Sequence, residues 1–134
     1  MRVAIFPKEK QAAYERYGYS AAIRSDDLLF VSGQVGVDNE GLAVPDPTAQ
    51  FLCAFDNLRQ VLEVAGCGFD NVVDVTTFHI DMHAHFEAFS RAKLKVFSEP
   101  PFPNWTAIGV TTLADPDLLL EIKVIARVPE TARA

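Results

Sequence analysis

The sequence predicts an α+β fold: a mixed sheet with two helices laid on one of its faces. Three observations carry that prediction. Apolar residues recur at helical spacing in two segments only, Phe51–Ala65 and Phe86–Phe97. Period-two or continuous apolar runs, bounded by turn residues, recur elsewhere along the chain. The resulting order, β-ββ-α-β-α-ββ, lacks the regular strand–helix alternation of a doubly wound protein. At 134 residues, the chain is expected to form one domain spanning 1–134, large enough for a real core.

Taken in order, residues 3–6 form a short apolar strand stopped by Pro7. Residues 8–18 are polar and contain Gly18, so they read as a loop. Residues 19–24 alternate, Ser25-Asp26-Asp27 supplies a turn, and residues 28–35 resume as a strongly β-prone run, giving a hairpin. Residues 36–45 hold two glycines, Asp38 and Asn39, and read as an exposed loop. Asp46 then fits an N-cap, with Pro47 at the first helical position, where a missing N–H costs nothing. Phe51, Ala54, Phe55, Leu58, Leu62 and Ala65 make the buried stripe of that helix, and Gly66 closes it.

Residues 72–80 read as a strand, with Asp81 as the cap of a second helix. Phe86, Phe89, Leu94 and Phe97 form its looser stripe, and Pro100-Pro101 ends it. Residues 104–113 and 118–128 are the last two strands, joined by a turn at 114–117. In the final strand Leu118, Leu120, Ile122, Val124, Ala126 and Val128 share one face, opposite Glu121, Lys123 and Arg127. Two helices cover one sheet face. Yet Val73 and Val75 oppose Val72, Phe78 and Ile80, and Ile108 and Val110 oppose Trp105 and Ala107, so both faces are apolar. A face of that kind left in water is rare in monomers, which predicts a homo-oligomer.

Several short motifs agree in order and spacing with one family. They are Tyr19-Ser20, Phe30-Val31-Ser32-Gly33-Gln34-Val35, Gln50, Ala65-Gly66, Val75-Thr76, Pro103-Asn104-Trp105-Thr106, and Glu121-Ile122 with Ile125-Ala126. On these the chain resembles the Rid family, also called YjgF or L-PSP-like proteins, over nearly its whole length, and most of all the YjgH-type branch. The resemblance implies a chorismate-mutase-like homotrimer with a small-molecule cleft at each subunit interface. For the enzymatic members it implies hydrolysis of enamine or imine acids such as 2-aminoacrylate to a keto acid and ammonia.

Carried over by position, the resemblance puts the cleft tyrosine at Tyr19, the serine at Ser32 and the water-orienting glutamate at Glu121, the candidate catalytic residue. The helix asparagine of some members falls on Ser90. Gly33, Gln34 and Thr106 complete the expected ligand-binding set. The arginine that grips the substrate carboxylate falls on Trp105. A guanidinium offers a planar two-armed fork, whereas an indole offers one neutral N–H and an apolar face. Losing one charge-assisted hydrogen bond costs about 1.5–3 kcal/mol, roughly one to two powers of ten in affinity. The sequence therefore points away from 2-aminoacrylate chemistry. Open alternatives are a hydrolase or deaminase with a different substrate, a non-catalytic metabolite-binding module and a chaperone-like trimer, with chorismate-mutase-type isomerase chemistry ranking last.

Composition narrows the classes further. Twelve Lys and Arg face eighteen Asp and Glu, a net charge of −6, so no nucleic-acid partner is expected. No apolar run approaches the ~20 residues of a membrane span, and the start of the chain lacks a signal-peptide pattern, so a cytoplasmic protein without membrane partners is expected. Cys53 and Cys67 read as free thiols. His79, His83 and His85 cluster in sequence without the convergent spacing a metal needs, and neither metal nor cofactor is expected.

Overall fold

The order of strands decides where every candidate residue points. The computed structural model describes residues 1–133. Its strands are β1 (Val3–Ile5), β2 (Ala22–Ser25), β3 (Leu28–Val35), β4 (Val72–His79), β5 (Asn104–Gly109) and β6 (Leu120–Arg127). They form one six-stranded sheet in the order β1-β2-β3-β6-β4-β5, with β1 and β5 at the edges. Only the β4–β5 pair is parallel, so the sheet is mixed as expected.

The helices are α1 (Gln11–Arg16), α2 (Pro47–Val64) and α3 (Met82–Val96). There are three, because residues 8–18 are not a loop: a turn of 3₁₀ helix at Lys8–Lys10 runs into α1. α2 matches its sequence signals. The Asp46 carboxylate accepts from the Ala49 N–H at 3.0 Å, a cap contributing about 1 kcal/mol, and Pro47 opens the helix. Gly66 follows with φ +78, the left-handed conformation that terminates a helix at little cost to glycine.

Asp81 does not cap α3 as expected. Its backbone is itself left-handed (φ 49, ψ 51), not the extended conformation that turns an N-cap side chain onto the helix, and its carboxylate receives no capping hydrogen bond. Leu94 is also displaced from its expected place, being 57% exposed, while Phe89, Ala92 and Phe97 face the core. Strand 104–113 stops at Gly109, and the last strand is trimmed to Leu120–Arg127 with Leu118 and Val128 still buried at its ends.

Phe51, Phe55, Leu58, Val61 and Leu62 of α2 and Phe89 of α3 pack on Leu29, Val31, Val75, Leu120, Ile122, Val124 and Ala126 of the sheet. β6 obeys its alternation throughout. β4 does not: its register against β6 slips between Val72 and Asp74, so Val72 and Val75 share the core side and Val73 is 45% exposed. The expected pairing of Val73 with Val75 on one face fails because a bulge adds a residue and inverts the phase. Gln50, buried in α2, holds the connections in place. Its amide donates to the Val44 and Asp117 carbonyls, both at 3.0 Å, and its oxygen accepts from the Leu119 N–H at 2.7 Å.

Phe89 is the hub of the aromatic core, with ring centroids 5.9 Å from both Phe51 and Phe55, 4.8 Å from His79 and 6.0 Å from Trp105. Phe89→Ala removes all four contacts and leaves a cavity that α3 cannot close alone. Urea unfolding should show a loss of about 3–5 kcal/mol.

Candidate functional site

β6 and the bulge in β3 create the first cluster. The register of β3 against β6 slips between Val31 and Gln34, which interrupts the pairing of Ser32 and Gly33 with β6, while the Ser32 N–H still donates to the Ala21 carbonyl at 2.9 Å. The side chain of Glu121 occupies the space over Gly33, and a Cβ there would collide with its carboxylate. Glycine permits this close approach, and a larger residue would push the Glu121 side chain aside. Glu121 is half-buried and accepts no hydrogen bond from any described residue. Burial pushes its carboxyl above the usual carboxylate range, partly offset by the Lys123 charge.

Tyr19 belongs to the same cluster. Its phenol is pushed up by burial first, then by Tyr14 and the Glu121 charge. Tyr14, on α1, packs edge-on against Tyr19 at 5.0 Å, and its hydroxyl accepts from the Gln34 amide at 3.1 Å. A cavity of about 520 Å³ opens beside Tyr19, with Lys10, Tyr14, Tyr17, Gly33 and Gln34 also in its wall; Glu121 does not line it. Ser32 is less available than the sequence suggested, because its hydroxyl donates to the Ser20 carbonyl at 2.7 Å.

The second cluster lies across the sheet. β5 pairs with β4 in the register Val75↔Trp105, Thr76↔Thr106 and Thr77↔Ala107. Trp105 thus shares the helix-covered side with Val75 and Thr77, whereas Thr106 is exposed on the side of Glu121. Within one chain, strand parity puts Glu121 and Trp105 on opposite faces of the sheet. The indole N–H is committed within the chain. It donates to Thr77 Oγ1 at 2.9 Å, and that hydroxyl lies 2.7 Å from His79 Nε2. Burial pushes the His79 imidazolium down, so the ring is neutral and can accept the Thr77 proton.

α3 completes this cluster. Phe86 stacks on Trp105 with centroids 5.7 Å apart and planes within 9°, and Lys93 Nζ lies 4.1 Å from the centroid of an indole ring. Ser90, half-buried, is one turn from each on the same helix. Of the expected residues, then, Tyr19, Gly33, Gln34 and Glu121 are brought together, with Ser32 turned inward beside them. Ser90 and Trp105 form a separate group. Sequence reasoning missed Tyr14 and Lys93. Their only signals were the helix-forming residues around Ala12-Ala13 and the i, i+4, i+7 spacing of Phe86, Ser90 and Lys93. The remaining histidines serve packing or solvent: His85 lies edge-on to Phe51 at 6.3 Å, and His83 is exposed. Cys67 is buried and Cys53 half-buried, both as free thiols.

Acid should weaken the fold through His79. Its folded pKa lies below that of the unfolded chain, so unfolding takes up a proton. Stability is complete above about pH 6.5 and falls as the pH drops through that value. Urea midpoints across this range should show the loss, and His79→Gln should reduce it. Glu121 acts with the opposite sign. Its raised folded pKa makes ionisation costly, so stability falls as pH rises from the ordinary carboxylate range through the raised value. Glu121→Gln should melt higher than the parent near neutral pH and show no such gain in acid.

Comparison with known proteins shows the family. The family model for Endoribonuclease L-PSP matches residues 9–128. The RutC family protein YjgH of Escherichia coli (strain K12) is 54% identical over 129 residues, 96% of this chain and 97% of the relative. A solved structure of a protein YjgH superimposes with a TM-score of 0.89 at 53% identity, covering 96% of this chain and 98% of the other. The 2-iminobutanoate/2-iminopropanoate deaminase of Mus musculus is 40% identical over 67 residues, 48% of this chain and 50% of its own. The chain belongs to the L-PSP (YjgF/Rid) family and is of the YjgH type within it.

Proposed function

We propose that this chain is a hydrolase of the enamine or imine type that acts in a cleft between copies of itself, assembled as a homotrimer. Glu121 carries the reading: a half-buried carboxylate with no protein hydrogen-bond donor, lying over a glycine and near the Tyr19 phenol. A base of raised pKa is suited to taking a proton from water near neutral pH. Water then adds to the carbon of a C=N bond, the tetrahedral carbon expels ammonia, and a carbonyl remains. The deaminase name of the mouse relative fits this class of reaction.

The sheet supports the proposal of a second copy. Glu121 and Trp105 lie on opposite faces, so one small molecule meets both only if neighbouring chains each contribute one. The open face is also apolar: Phe30 and Ile108 are each 39% exposed, flanked by half-buried Phe78 and Ile125. Burying that face against copies removes a patch that water disfavours. Nuclease activity, which the family model's description names, sits poorly with a net charge of −6.

A non-catalytic binding module is the second reading. It is favoured by the inward commitment of the Ser32 hydroxyl and the Trp105 N–H, which leaves few groups to act on a ligand.

Light scattering at micromolar concentration should give three times the chain mass; a monomer would sink the shared cleft. With an amino-acid oxidase supplying 2-iminopropanoate, deamination should run about tenfold or more below that of an arginine-bearing relative, as expected when a two-armed fork is absent. Whatever imine hydrolysis is measured should collapse in Glu121→Gln. Turnover that survives this change would remove Glu121 as the base, and saturable ligand binding without turnover in the parent would favour the binding module.

A further inference from the structure

Lys93 is a cation without a counter-ion. Among the described residues no carboxylate lies within ion-pair distance of its ammonium, and no acceptor is hydrogen-bonded to it, whereas Arg91 on the same helix pairs with Glu87. The ammonium is half-buried, over the indole of Trp105 at 4.1 Å and 5.9 Å from the Phe97 centroid. The aromatic faces attract it, but they cannot accept all three of its N–H bonds. Removal from water pulls its pKa down, with no neighbouring carboxylate to oppose the effect. An arriving anion would restore what burial has taken away.

We infer that Lys93, seated on Trp105, is the anion-binding group of the β5–α3 edge and takes a small monocarboxylate. The assignment rests on the reading that this edge forms one wall of the ligand cleft. A single ammonium matches a single negative charge, and the nearby arginine of α3 is already neutralised by Glu87. Phe86 and Trp105 offer an apolar wall for the rest of the ligand, and Ser90 supplies a hydroxyl one turn away. The indole donates nothing to the ligand, since its N–H is held by Thr77. Its part is to hold the ammonium in place.

Trp105 is the chain's one tryptophan, so intrinsic fluorescence reports on this position alone. The wild type, Lys93→Met and Lys93→Arg are titrated with butanoate and with the uncharged butanamide, followed by fluorescence and, in parallel, by calorimetry. Butanoate should bind the wild type saturably and Lys93→Met about tenfold or more weakly, with Lys93→Arg close to wild type. Butanamide should bind weakly and alike in all three. Equal butanoate affinity in Lys93→Met, equal affinity of the wild type for acid and amide, or no saturable butanoate binding by either method would overturn the assignment. Failure of the hydrolase reading looks different: butanoate binding that depends on Lys93 in a protein without imine turnover keeps the subsite and removes the activity. Turnover whose KM is unmoved by Lys93→Met removes the subsite and keeps the activity.

Discussion

The parity of β6 is the constraint on which the rest of the molecule depends. Leu120, Ile122, Val124 and Ala126 must lie under the helices to close the core, and every one is fully buried. Their neighbours Glu121, Lys123, Ile125 and Arg127 are thereby sent to the opposite face, whatever each would prefer alone. A carboxylate would not choose a half-buried position beside Phe78 and Val35, its partners in the adjacent strands. The core's hydrophobic gain holds it there, at roughly 1.5–3 kcal/mol for each large side chain buried. A single carboxylate held above its usual pKa is a tolerable cost against that sum. Such costs tend to persist where a side chain has chemical work to do.

The same parity on β4 and β5 builds the second cluster. Val75, Thr77 and His79 face inward, and Trp105 meets them from the neighbouring strand. A threonine and a histidine inside an otherwise apolar layer would be a liability if unpaired. Here each satisfies the other, and the indole N–H completes the chain. The network fixes the plane of Trp105, with Phe86 stacked parallel to it. What remains accessible to act on a ligand is the charge that α3 places over the ring.

Much of this was legible in sequence because the governing patterns were long. Eighteen residues of α2 repeated their stripe several times and carried a cap, a proline and a terminal glycine, so helix and boundaries were both readable. β6 alternated without interruption. α1 was not legible: six residues give less than two turns, too few for a stripe, and Gly18, which follows it, read as part of a loop. The bulges at Val72/Asp74 and Val31/Gln34 were equally silent, since an inserted residue changes phase without a distinctive side chain. Glu121 and Trp105 show the same limit. Their family positions were readable from short motifs, but which face each occupies is a property of register. Lys93 escaped because a lysine in the last turn of a helix ordinarily serves the helix dipole and solvent.

If position 105 is where the family resemblance implies an arginine, Trp105 has to be read together with Lys93. A lone indole in place of a guanidinium would leave the β5 edge apolar, but an indole carrying an ammonium leaves it cationic. The two arrangements are not equivalent. A guanidinium fixes both oxygens of a carboxylate in one plane, whereas an ammonium is a point charge that constrains position more than orientation. Loss of orientation matters least for a ligand whose own bulk is aligned by an aromatic wall, and Phe86 and Trp105 supply one. Restoring arginine at 105 in this background would place a guanidinium beside Lys93 and break the indole–Thr77–His79 chain at once. The pair Trp105 and Lys93, not either residue singly, is the unit that sets the charge of this edge.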